Sequence, residues 1–155
     1  MVQSGRKWGI AVLMGEFHHN LDDKSRIVIP STFRLELGNR FVIAKGLEKC
    51  LYIYSNQEWE KIVSKINTLP FTKKDVRTFA RAFFSGASEC EIDKSGRIVI
   101  NSNLSTYAGI KKECVIIGAS DRLEIWDKDL WDNFMNDYED KLSDIAENLF
   151  TDGNV

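Results

Sequence analysis

A chain of 155 residues, 43% hydrophobic and 28% charged, is an ordinary globular composition, with enough apolar mass for one good core or two small matched ones. No apolar run nears the roughly 20 residues needed to cross a bilayer, and the opening residues are too interrupted for a signal peptide, so a cytoplasmic protein is expected. The net charge of −2 excludes a uniformly basic binder but conceals an asymmetry: residues 1–82 carry 14 basic and 8 acidic side chains (net +6), residues 119–155 carry 3 and 11 (net −8).

In chain order, residues 15–20 read as a strand, 21–25 as a tight polar turn, and 26–29 as a β-branched strand stopped by Pro30. Residues 31–37 predict a short helix that ends at Gly38. Strands follow at 41–44 and 51–54. From Gln57 onward, Trp59, Ile62, Val63, Ile66 and Leu69 recur at helical spacing until Pro70. Thr72 is then the expected N-cap of a helix whose apolar face is Val76, Phe79, Ala80 and Phe83. Strands near 86–92 and 97–100, a short helix near 102–108, and strands near 114–118 and 123–126 come next. One long final helix is expected, its apolar side chains Trp131, Phe134, Tyr138, Leu142, Ile145 and Leu149 stepping by three or four.

This order of elements occurs twice because the sequence does. LDDKSRIVIPS, from Leu21 to Ser31, returns as IDKSGRIVINS, from Ile92 to Ser102, and the match extends to Gly15 with Gly86, Gly38 with Gly109, and Trp59 with Trp131. Two half-size units, 14–70 and 71–150, are therefore expected, with residues 1–13 an extension ahead of them. Units this small do not bury their apolar faces alone, so the halves are expected to pack as one pseudo-two-fold domain.

The chemistry that repeats is Asp-x-x-x-Arg at a strand–turn–strand junction: Asp22 with Arg26, and Asp93 with Arg97. An aspartate at the start of a turn accepts hydrogen bonds from backbone N–H groups two or more residues on. It also orients an arginine four residues later, and a preorganised guanidinium suits a phosphate or a guanine edge. The same pair serves equally as a turn-stabilising ion pair that binds nothing. Lys24 and Lys94 lie in the same two turns. Lys73, Arg77 and Arg81, spaced by four with Lys74 beside them, form a basic stripe that either contacts phosphates or is simply solvated.

Other candidates carry less. His18 and His19 are neighbours on a strand and point to opposite faces, so they do not share a metal. Cys50, Cys90 and Cys114 are odd in number and lack CxxC spacing, which suggests buried thiols. No HExxH, GxSxG, P-loop or GxGxxG occurs, and each repeated aspartate already has an arginine. No catalytic residue, metal or cofactor is expected.

The stretches MGEFHHNLDDKSRIVIPSTFR and LPFTKKDVRTFARAFFSGASECEIDKSGRIVI closely resemble the MraZ family of bacterial transcriptional regulators, and the resemblance runs from Met14 to about Leu149. It implies an α+β fold in which two AbrB-like, swapped-hairpin halves form one interleaved β-barrel-like unit with flanking helices. It also implies a ring-shaped homo-oligomer, cytoplasmic and nucleoid-associated, that binds short direct repeats of double-stranded DNA upstream of the operon for cell division and cell-wall synthesis. The usual effect is repression of that operon and of its own gene. On this resemblance Arg26 and Arg97 are the DNA-binding residues, oriented by Asp22 and Asp93. From their place in the same turns Lys24 and Lys94 are expected to assist, and from their charge pattern Lys73, Lys74, Arg77 and Arg81 are candidates for further phosphate contacts. The alternatives are a non-catalytic protein-interaction or assembly module, and an antitoxin-like regulator.

Two positions depart from the family pattern. Ser25 stands where the family has the glycine kept here as Gly96, which predicts backbone strain if the turn needs positive φ. Asn101 stands where a proline is common, as in Pro30, and is expected to loosen the start of the second short helix. Family members begin near Met14, so Arg6-Lys7-Trp8 is not read as a DNA-binding arm.

Overall fold

The computed structural model describes residues 12–151; most of the expected N-terminal extension, including Arg6-Lys7-Trp8, lies outside the described residues. The first half contributes β1 (Leu13–Asn20), β2 (Arg26–Val28), α1 (Ser31–Leu37), β3 (Arg40–Lys45), β4 (Leu51–Ser55) and α2 (Asn56–Asn67). After α3 (Lys74–Ser85) the order repeats as β5 (Ser88–Glu91), β6 (Arg97–Val99), α4 (Ser102–Ala108), β7 (Glu113–Ser120), β8 (Leu123–Asp127) and α5 (Lys128–Glu139). A last helix, α6 (Leu142–Phe150), closes the described chain.

The strands form a six-stranded antiparallel sheet in the order β1-β7-β8-β4-β3-β5 and a two-stranded ribbon of β2 with β6. Exchanging each strand with its repeat counterpart reverses the sheet order and leaves it otherwise unchanged, so a pseudo-two-fold axis runs between β4 and β8. There Tyr52 sits opposite Glu124. The opening strand of each half pairs with the other half, β1 with β7 and β5 with β3. The halves are thus interleaved and α+β, as the duplicated swapped-hairpin fold requires, and the ribbon closes over one face of the sheet. β1 crosses β7 very tightly, since a Cβ at Gly118 would meet the backbone of Leu13 and Met14.

Period-two alternation divides the apolar residues between the faces of the sheet. Ile43, Leu51, Ile53, Ile116 and Ile125 point to a core shared with Ile27 and Ile98 of the ribbon, Phe33 of α1 and Leu104 of α4. Ala44, Tyr52, Tyr54, Val115 and Trp126 point the other way, onto Trp59 of α2, Phe83 of α3 and Trp131 of α5. Near the axis the buried Glu124 accepts from Arg122 Nη2 (2.8 Å) and from Trp126 Nε1 (3.0 Å), and the Arg122 guanidinium lies 4.4 Å from the Tyr52 ring centre. Glu124 is therefore a charge-paired, hydrogen-bonded carboxylate rather than an isolated buried charge.

Several expectations change. The long final helix is two helices, parted after Glu139 around Asp140 and Lys141. The cap of α3 is Lys73 rather than Thr72, with no side-chain capping bond, and of the apolar residues spaced along α2 and beyond, Trp59, Ile62, Val63 and Ile66 are half-buried while Leu69 is exposed. Asn101 does not loosen α4: its side chain accepts from Leu104 N (3.0 Å), whereas Pro30 at the start of α1 supplies no such cap. Ser25 does take the left-handed conformation, at φ 59°, matching 77° at Gly96.

Candidate nucleic-acid interface

The ribbon brings the two signatures side by side. Arg26 pairs with Val99 and Val28 with Arg97, so when Ile27 and Ile98 point into the core, these four residues occupy the outer face. Each turn is built the same way. Asp22 N donates to Arg26 O (2.9 Å) and Ser25 N to Asp22 O (3.0 Å); Asp93 N donates to Arg97 O (2.9 Å) and Gly96 N to Asp93 O (3.0 Å).

The carboxylates then fix the arginines. Asp22 accepts Lys24 N and Arg26 N on Oδ1, both at 2.9 Å, and Arg26 Nε on Oδ2 at 2.7 Å. Asp93 accepts Ser95 N (2.8 Å) and Arg97 N (2.9 Å) on Oδ1, and Arg97 Nε on Oδ2 at 2.9 Å. Each arginine is held by Nε, which fixes the direction in which its Nη groups point. Arg97 Nη1 also reaches 3.7 Å from Asp22 Oδ2, which joins the two pairs into one cluster.

Both aspartates ionise more readily than usual. Burial works against ionisation of Asp22, but the Arg26 backbone and side-chain bonds and the Lys24 backbone bond outweigh it and bring its pKa below the ordinary 3.8. For Asp93 the Arg97 backbone bond leads, burial opposes, and the bonds from Ser95 N and Arg97 Nε help to lower its pKa in the same way. At neutral pH each arginine therefore faces a charged partner.

Not every basic candidate joins this cluster. Lys24 and Lys94 are exposed in the two turns but are not equivalent: in the ungapped repeat Lys24 matches Ser95, and Lys94 matches Asp23. Lys73, Lys74, Arg77 and Arg81 are exposed around α3, whose Phe83 packs on the sheet face opposite the ribbon. Arg77 Nη1 is also occupied, donating to Phe71 O and Thr72 O at 3.0 Å each. Sequence reasoning missed Val28 and Val99, the apolar half of the outer face. Strand alternation from the buried Ile27 and Ile98 was signal enough to find them. It also missed Arg34, whose guanidinium covers Gly96.

A family model described as "MraZ protein, putative antitoxin-like" matches residues 12–82 and, a second time, residues 83–153. The chain belongs to the MraZ family. MraZ is a regulator-type family, and the two matched copies correspond to the interleaved halves of the fold. Among the described residues, no group of three or more His, Cys, Asp or Glu side chains is arranged to hold a metal, and no helix is long and apolar enough to cross a membrane. His18 is exposed and bonded to Glu16 (2.8 Å), while the three cysteines are free and buried.

Proposed function

We propose that this member of the MraZ family is a sequence-specific double-stranded DNA-binding regulator that reads DNA with the outer face of the β2–β6 ribbon. The observation that carries the reading is the pair of aspartate-fixed arginines, Arg26 and Arg97, set beside Val28 and Val99 on one two-stranded ribbon. A major groove admits such a ribbon; arginine forks suit guanine O6 and N7 or phosphate, and valine suits a thymine methyl. Lys24 and Lys94 add electrostatic attraction. The cation stripe on α3 lies across the sheet and contacts a different stretch of DNA or none.

The target is short direct repeats upstream of its own operon, for cell division and cell-wall synthesis, and the effect is repression of that operon and of its own gene. Self-association into a ring-shaped homo-oligomer places several ribbons on successive repeats, so that affinity comes from many modest contacts. Support for association comes from α6, which leaves Leu142, Ile145, Leu149 and Phe150 exposed. That apolar stripe also supports a second reading, in which an antitoxin-like regulator holds a protein partner there.

A gel-shift titration against the duplex upstream of its own gene and an unrelated duplex of equal length, at two salt concentrations, tests the reading. Tight, salt-sensitive binding confined to the upstream duplex is expected, with Arg26→Ala weakening it roughly 5- to 150-fold, the effect of losing a base-reading contact. Equal binding to both duplexes refutes specific regulation. A small protein that co-purifies in fixed ratio favours the second reading.

A further inference from the structure

The two ends of the ribbon are not braced alike. Arg34, on α1 of the first half, donates from Nε to Ile29 O (3.0 Å); Ile29 N in turn donates to Gly96 O (2.8 Å). The Arg34 guanidinium lies so close over Gly96 that any Cβ there would collide with it. A helix of one half thus reaches across the pseudo-two-fold axis and clamps the turn that carries Asp93 and Arg97. At the other end Ile100 N donates to Ser25 O (2.9 Å), but the residue equivalent to Arg34 is Ser105, too short for the same reach. Room for a side chain at Ser25 follows from that exchange. Where the repeat has arginine on the helix it has glycine in the opposite turn, and where it has serine on the helix the turn carries serine.

Charge departs from symmetry in the same direction. Residues 22–26 hold Asp22, Asp23, Lys24 and Arg26 and sum to zero, whereas residues 93–97 hold Asp93, Lys94 and Arg97, net +1. A guanidinium on a braced turn loses less freedom when it meets an acceptor, and a more positive turn attracts the polyanion more strongly.

We propose that Arg34 is a positioning residue for Arg97, and that it makes the Arg97 end of the ribbon the dominant reader of the DNA while the Arg26 end is the compliant one. This rests on the DNA-binding reading above. Arg34 acts through the backbone of the Gly96 turn and makes no phosphate contact itself.

The test is a fluorescence-anisotropy titration of the full chain against the upstream duplex and an unrelated duplex over a range of salt. It uses wild type, Arg26→Ala, Arg97→Ala, Arg34→Ala, Arg34→Lys, and Arg34→Ala combined with each of the first two. The expected loss for Arg34→Ala is roughly 2- to 150-fold, the size of a coupling between contacting residues. The salt slope stays at its wild-type value, because no phosphate contact is removed; losing one lowers it by about 1. Arg34→Lys remains impaired, since an ammonium supplies neither the planar cover nor the Nε donor. Arg34→Ala adds little to Arg97→Ala and adds fully to Arg26→Ala. Hydrogen exchange supplies a readout free of DNA: Arg34→Ala accelerates exchange at Ile29 N–H relative to Ile100 N–H. Equal acceleration at both amides, wild-type affinity in Arg34→Ala, or equal coupling to both arginines overturns the proposal while Arg97→Ala still weakens binding. A wild-type protein that does not prefer the upstream duplex overturns the DNA-binding reading and the proposal together.

Discussion

Reciprocal substitutions at the two turns should have opposite signs. Ser25 holds φ 59°, a conformation that costs an L-residue about 1–2 kcal/mol, while glycine there costs about 0.5–1 kcal/mol more entropy on folding. Ser25→Gly should therefore stabilise the fold by about 0.5–1 kcal/mol. Gly96→Ser incurs the same conformational cost at φ 77° and in addition drives its Cβ into the Arg34 guanidinium. Moving that side chain breaks the bond from Arg34 Nε to Ile29 O, and a charge-assisted bond is worth about 1.5–3 kcal/mol. The net loss is about 2–4 kcal/mol. At about 2–4 °C per kcal/mol for a chain of this size, melting by circular dichroism should rise by about 1–4 °C for Ser25→Gly and fall by about 4–16 °C for Gly96→Ser. Protein concentration must be matched, since any self-association would shift the midpoint. The combined Arg34→Ser, Gly96→Ser variant, which copies the pattern of the first turn, should recover part of that fall. A Gly96→Ser protein that melts with wild type, or a Ser25→Gly protein that melts below it, would refute the account of both turns.

Three further outcomes follow from the geometry. Both signature aspartates have folded pKa values below their unfolded ones, so the stability they contribute is complete above about pH 4 and lost as pH falls through the lowered values. Wild type should then be more stable than Asp22→Asn, Asp93→Asn at pH 7, and the two should converge in acid; a constant gap down to pH 2 contradicts this. Asn101→Ala should cost about 1 kcal/mol through the lost cap of α4, read as a melting point lower by about 2–4 °C, and no change would mean that the Leu104 N–H finds another acceptor. Burial pushes the Cys90 thiol up to about 11 and the Cys114 thiol up to about 12, and Cys50 is raised as well, so at pH 8 a disulfide reagent should label no native cysteine until denaturant is added.

Much of the fold was legible because the chain states its plan twice. The turn aspartates, the β-branched strands and Gly38 at the end of α1 each carry a local cause, and repetition doubles each signal. The break between α5 and α6 was not legible: the step from Tyr138 to Leu142 keeps helical spacing across it, and the intervening Glu139, Asp140 and Lys141 include neither glycine nor proline. Thr72 failed as a cap because Lys73 N bonds to Pro70 O and Arg77 takes the carbonyls of Phe71 and Thr72, an arrangement made by a side chain from the following turn. At the site, Asp22, Arg26, Asp93 and Arg97 could be named from spacing alone. Arg34 could not, because alignment sets it against Ser105 as mere divergence, while its meaning lies in contact with Gly96 of the other half. The interleaving of the halves decides that contact.

The exchanged pairing also constrains how the chain is made. Among the described residues, Leu13 has no hydrogen-bonded strand partner until Ser120 has been synthesised, and Asn20 none until Glu113. At ribosomal speeds of about 5–20 residues per second, some 100 intervening residues take roughly 5–20 s to appear. During that interval the first strand has an open edge and the first half an uncovered core, and an identical nascent chain on the same messenger offers the same missing strands sooner. Slow translation through residues 21–112 should therefore raise the yield of strand-exchanged chains, and polysome crowding would govern how much of the product closes on itself.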